Sequence, residues 1–177
     1  NRNLLEQVND TREGQWPFAT VLSCIDSRTS AELIFDQGLG DIFSIRIAGN
    51  FANQDILGSM EFACNVAGSK LVVVLGHTKC GALKGGLDAP QIEGLGMDNL
   101  NHLIYHFESC IHEIIKEGEE RSSKNDDLLD RLTLCNIQKT IEDIRHQSST
   151  LRNLEKEGKI KIVGANYDVE TGVVTWL

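Results

Sequence analysis

The longest run of branched apolar residues in the chain is Leu71-Val72-Val73-Val74-Leu75, closed by Gly76. An unbroken run of this kind predicts a strand buried on both faces, here residues 70–75. Shorter apolar runs predict two further strands at residues 18–24 and 42–48, the second stopped by Gly49-Asn50. Helices are predicted over 31–35 and 55–66. From 98 to 117, Leu100, Leu103, Ile104, Phe107, Ile111 and Ile114 recur at spacings of three and four, which predicts one long helix with a single face in the core. A polar break over 118–125 precedes a second long helix carrying Leu128, Leu132, Ile137, Ile141 and Ile144. Ser148-Ser149 is placed to cap a shorter helix through Leu154, ended by Gly158.

Near the C-terminus, residues 160–163 and 173–176 predict two strands at a sheet edge, with Tyr167 and Asp168 assigned to the turn between them. The segment holding Gly85, Gly86, Pro90, Gly94 and Gly96 reads as loop. Strands alternating with helices predict an α/β fold, a mostly parallel central β-sheet flanked by helices in a single domain spanning residues 1–177. Residues 1–14, with only Leu4, Leu5 and Val8 apolar at helical spacing, are expected to form an arm that packs on a partner.

Charge and composition narrow the function classes. A net charge of -9 over 177 residues repels nucleic acid and anionic membranes. No apolar stretch approaches the roughly 20 residues that span a bilayer. The five cysteines are an odd number in a chain long enough to fold without disulfide staples, which points to a reducing compartment, here the cytoplasm. The chain begins at Asn1 rather than Met, and removal of an N-terminal segment would open an organelle or the periplasm as the compartment.

Two of the cysteines have informative neighbours. The central strand runs into Gly76-His77-Thr78-Lys79-Cys80-Gly81-Ala82, and the first strand runs into Cys24-Ile25-Asp26-Ser27-Arg28. His77 and Cys80, three apart across a strand-to-helix turn, can reach one ion together. Parallel strands would bring Cys24 to the same sheet edge. Two thiolates and one imidazole form a soft tetrahedral set for zinc with a fourth place left over, the pattern of a catalytic site. If the strand end stays extended, Cys24, Asp26 and Arg28 emerge on one side. Two thiolates weaken the metal as a Lewis acid, and Asp26 is placed to accept the proton of its water or to orient the hydroxide by a hydrogen bond, while Arg28 keeps the carboxylate ionised.

In these residues the chain resembles the beta-class carbonic anhydrases. Arg46-Ile47-Ala48-Gly49-Asn50, Gly58-Ser59-Met60-Glu61-Phe62-Ala63 and Ile162-Val163-Gly164-Ala165 with Tyr167-Asp168 are similar to family segments in the family order. The resemblance implies reversible hydration of carbon dioxide to bicarbonate by a dimer-based α/β enzyme. It implies zinc on Cys24, His77 and Cys80, catalysis beside Asp26 and Arg28, and substrate contacts from Gln15, Phe43 and the backbone of Gly81. The partners implied are carbon dioxide or bicarbonate and a second copy of the chain, in a homodimer or a dimer-based oligomer. Thr29-Ser30 stands near a common proline, Phe62 replaces a common tyrosine, and the arm is short. Val21 replaces the tryptophan of bicarbonate-inhibited relatives, which implies water rather than Asp26 as fourth ligand.

Other readings are weaker. Gly76 and Gly81 mimic a phosphate-binding loop, but Ala82-Leu83 stands where lysine and a hydroxyl residue are required. A structural zinc site with Asp26 as fourth ligand leaves Arg28 and Gln15 without a task. Carbonyl sulfide or carbon disulfide hydrolysis shares the metal motif. His102 and His106, four apart, are expected to be solvated, and Cys64, Cys110 and Cys135 to be small core side chains.

Overall fold

The computed structural model describes residues 3–92 and 96–177, so Gly94 of the predicted loop lies outside them. Five strands, β1 (Ala19–Ser23), β2 (Ile42–Arg46), β3 (Leu71–His77), β4 (Lys161–Tyr167) and β5 (Val174–Trp176), form one sheet in the order β2-β1-β3-β4-β5. All pairings are parallel except β4 with β5. The mostly parallel sheet flanked by helices agrees with the alternation read from the sequence. Tyr167 proves to be the last residue of β4, where it pairs with His77, and the turn begins only at Asp168.

Side chains alternate across the sheet. Leu22, Val72, Val74 and Ile162 face α3 (Gln54–Glu61), α8 (Asp126–Gln147) and α9 (Ser149–Lys156), whereas Val21, Val73 and Leu75 face α2 (Ala31–Ile34). Helix α1 (Leu4–Thr11) buries no residue. Asn3, Asn53, Asn125 and Ser148 cap α1, α3, α8 and α9 by accepting from backbone N–H groups. After α3 the chain continues as a π-helix, Phe62–Val66, so the predicted helix over 55–66 changes pitch half-way.

Two expectations are corrected. Gly85 and Gly86 belong not to a loop but to α4 (Gly81–Leu87), followed by α5 (Ala89–Ile92). The helix predicted from 98 to 117 is broken into α6 (Asp98–Ile104), a 3₁₀ turn at Tyr105–Phe107 and α7 (Glu108–Ile114). The packing of Phe107 bears on both. Phe107 is fully buried against Gly86, where a Cβ would lie 2.9 Å from Phe107 Cδ2. The glycine is there for close approach, and the tightened turn carries the ring onto it.

Helix α8 crosses the sheet just as closely. A Cβ on Gly76 would lie 2.6 Å from Ile137 Cδ1, and one on Gly164 would lie 2.7 Å from Ile137 Cγ2. Gly76→Ala is therefore expected to destabilise the protein by about 1–3 kcal/mol through overpacking, read as a lower denaturant midpoint at unchanged slope. Adding Ile137→Val, which removes Cδ1, should recover part of that loss.

Candidate metal centre

The sheet register builds the centre. Strands β1 and β3 are parallel neighbours with Ser23 opposite Leu75, so Cys24 and His77 leave the same sheet end one and two residues later. Successive connections from β1 run to opposite sides, first to β2 and then to β3, and the crevice at such a reversal is where open α/β sheets bind ligands. Cys80 is the N-cap of α4. Lys79, between two of the candidate ligands, is held at φ 56 and paired with Glu170. That left-handed residue turns Cys80 back toward His77.

Cys24, His77 and Cys80 are 3%, 1% and 0% exposed, and one ligand atom from each lies within 4.8 Å of the other two. The two sulfurs are 3.9 Å apart. Tetrahedral zinc with Zn–S of about 2.3 Å implies a sulfur separation of about 3.8 Å. His77 Nδ1 lies 2.9 Å from the carbonyl of Thr78, which fixes the proton on that nitrogen. Nε2 is then a bare lone pair, and it is buried with no partner in the chain. The Cys80 thiol donates to Cys24 and holds that sulfur below the ordinary thiol range, while the same contact and burial push Cys80 up. Burial and the short sulfur–sulfur contact oppose ionisation of both thiols together. A thiophilic divalent ion between them removes the conflict, so the trio fits zinc.

The loop after β1 differs from the extended strand end expected of it. The strand stops at Ser23, and the chain turns, with Thr29 N–H donating to Asp26 O at 3.0 Å. Asp26 and Arg28 still meet, because Arg28 N–H donates to Asp26 Oδ1 at 3.0 Å while its Nε and Nη2 donate to Oδ1 and Oδ2 at 2.9 and 2.7 Å. This fork holds the Asp26 carboxyl well below the usual carboxylate range, against the opposing effect of burial. Arg46 donates to the carbonyls of Cys24 and Asp26 at 2.9 and 2.6 Å, and Thr29 Oγ1 donates to the same two.

The other expected site residues lie apart from this cluster. Gln15 is exposed beside a shallow cleft lined by Thr11, Arg12, Glu13, Leu39 and Gly40. Phe43, on β2, meets Phe62 edge to face at 6.4 Å. Gly81 is exposed at the start of α4, and a Cβ there would meet nothing within 4 Å. Val21 is buried on the sheet face that packs on α2. His106 is not merely solvated, since it stacks on Phe51 at 4.0 Å. Cys64 and Cys110 are core residues and Cys135 is partly exposed.

The sequence reading missed three contributors. Thr78 ties His77 to the turn after β4 by donating from Oγ1 to Asp168 Oδ1 at 3.3 Å and accepting from Val169 N–H at 3.0 Å. Arg46 staples the Cys24 loop, and Asn136 of α8 reaches the adjoining Gly49.

Comparison with known proteins agrees with this geometry. The profile of the family described as Carbonic anhydrase matches residues 19–174. Carbonic anhydrase 2 of Mycobacterium tuberculosis is 33% identical over 159 residues, 90% of this chain and 73% of that protein. The carbonic anhydrase of Mycolicibacterium smegmatis is 32% identical over 170 residues, 96% of this chain and 79% of that one. The beta-carbonic anhydrase CafA of Aspergillus fumigatus superposes with a TM-score of 0.84 at 27% identity, covering 98% of this chain and 81% of that chain.

The chain belongs to the beta-carbonic anhydrase family.

The reaction of beta-carbonic anhydrases is the reversible hydration of carbon dioxide, and their metal is zinc. Among the described residues, Cys24, His77 and Cys80 are the one cluster of metal-ligating side chains able to converge on an ion. No helix among the described residues is long and apolar enough to cross a membrane.

Proposed function

We propose that this chain interconverts carbon dioxide and bicarbonate at a zinc ion held by Cys24, His77 and Cys80, with Asp26 and Arg28 as the reacting pair beside it. The observation that carries the ligand assignment is the buried, unpartnered Nε2 of His77, grouped with two sulfurs within 4.8 Å. Zinc would supply a Lewis acid that makes water nucleophilic near neutral pH.

The chain's own residues do the rest. Arg28 occupies Asp26 Oδ1 with two donors and Oδ2 with one, so Oδ2 keeps acceptor capacity for the hydrogen of a reacting water. Because Asp26 stays ionised, it orients that hydrogen rather than storing the proton, which passes on to buffer. The same engagement argues against Asp26 as a fourth metal ligand, and so against a closed structural site. Gln15, Phe43 and Gly81 are proposed as substrate contacts on the resemblance alone.

Stopped-flow measurement of carbon dioxide hydration by zinc-loaded protein tests the reading. A rate well above the uncatalysed one between about pH 7 and 9 supports it, and no enhancement there refutes it.

The assembly proposed is a homodimer or a multiple of one. Leu4, Leu5 and Val8 of α1 are 63%, 75% and 48% exposed. An apolar cleft lined by Phe18, Phe35, Ile42, Val73 and Trp176 also opens on the sheet. Sedimentation as a monomer at micromolar concentration would contradict the dimer. The five unpaired cysteines fit a reducing compartment such as the cytoplasm.

A further inference from the structure

Cys24 is supported by a helix that carries no ligand. Asn136 of α8, only 4% exposed, donates from Nδ2 to the carbonyl of Gly49 at 2.8 Å. Gly49 in turn donates its N–H to Cys24 Sγ at 3.3 Å. The glycine has φ +78, and a Cβ would lie 2.3 Å from Phe107 Cζ, so the ring packs on its Cα between the N–H that meets Cys24 and the carbonyl held by Asn136. Asn50 follows at φ 44 with its N–H on Ile47 O at 3.0 Å. The corner is thus fixed on both sides, with one N–H aimed at one sulfur.

The chemistry gives this contact a purpose. Two thiolates offset the charge of a divalent ion and weaken it as a Lewis acid. A hydrogen bond donated to a ligating sulfur draws electron density off it and returns part of that acidity to the metal. Groups that orient metal ligands in this way commonly change metal affinity or activity by about 10–100-fold when removed.

We propose that Asn136 is a positioning residue for the reaction: by holding the Gly49 carbonyl it fixes the Gly49 N–H on Cys24 Sγ and so moderates the charge this sulfur gives to the metal. The inference rests on Cys24 being a zinc ligand, and its test separates the two claims.

Protein loaded with cadmium-113, a spin-half stand-in for zinc, is examined by NMR for coupling between the metal and individual protons. Coupling to the Cys24 β protons reports ligation, and coupling to the Gly49 amide proton reports the hydrogen bond to the ligated sulfur. Both are expected. In Asn136→Leu the Cys24 coupling should remain and the Gly49 coupling should fall. Turnover of the zinc-loaded variant should drop about tenfold, and its zinc dissociation constant should rise about as much. Asn136→Gln, which keeps an amide donor, should recover part of the loss. Thr140→Val, at another buried polar position of α8 (1% exposed), should change neither coupling nor turnover. Cys24 coupling without Gly49 coupling in the unmodified protein would overturn the inference, as would full turnover and intact Gly49 coupling in Asn136→Leu. Should the leucine variant not fold, Asn136→Asp, which keeps the size and removes the donor, is read by the same criteria. Absence of Cys24 coupling would overturn the ligand assignment and this inference with it.

Discussion

Cys80→Ser is expected to reduce carbon dioxide hydration by about 10³-fold or more and to lower bound zinc severalfold. Losing a group that merely orients a ligand commonly costs about 10–100-fold, so losing a ligand must cost more. The serine hydroxyl stays protonated near neutral pH and is a poor ligand for a thiophilic ion. It would also leave His77 Nε2, already without a partner in the chain, facing a single sulfur. The companion variant is Cys110→Ser. Cys110 is likewise buried, at 2% exposure, but lies in α7 and is not one of the three side chains that converge, so its zinc content and rate should stay within about twofold. Metal analysis and stopped-flow rates on both variants decide the matter, and equal zinc content in the two would refute the assignment of Cys80.

Asp26→Asn should retain zinc and lose turnover by about 10²-fold, the scale of losing a group that positions the reacting water. The amide keeps the size of the carboxylate but turns an NH₂ toward Arg28 or toward the reacting water, and neither can be satisfied as the two oxygens are now. The pH dependence follows from the same pair. Arg28 lowers the carboxyl below its ordinary value, so the folded state favours the ionised form. The pair's contribution to stability is therefore complete above the unfolded carboxylate pKa of about 4, and it fades only as pH falls below that. Between pH 6 and 9 Asp26 does not titrate, and the kcat profile in that window must report another group. An Asp26→Asn variant that hydrates carbon dioxide at the full rate would remove Asp26 from the mechanism.

Much of the centre was legible because it is local. The buried run before His77 defines a strand, and the Cys24 to Arg28 and His77 to Cys80 spacings each lie within one turn of chain. The parallel pairing of β1 with β3 brings the two turns together, and alternation of strands with helices was enough to foresee it. What sequence did not disclose depends on distant contacts. Asn136 and Gly49 are 87 residues apart, and although Asn136 falls four residues after Leu132 on the buried face of α8, that spacing does not name its partner. The break at Tyr105–Phe107 was hidden because the apolar spacing continues through it, and only the contacts of Phe107 with Gly49 and Gly86 explain the change of pitch. Gly85 and Gly86 suggested a loop by composition, yet Gly86 is a packing residue inside a helix. The placement of Asp26 beside Arg28 was anticipated for the wrong local reason: an Asx-type turn, not strand alternation, brings them together.

Zinc K-edge X-ray absorption on the loaded protein tests the central claim most directly. If Cys24, His77 and Cys80 hold the ion with its fourth place open to solvent, the first shell contains two sulfurs at about 2.3 Å and two lighter atoms at about 2.0–2.1 Å, one of them showing imidazole scattering. A shell of three or four sulfurs, or one with no sulfur, would contradict the account.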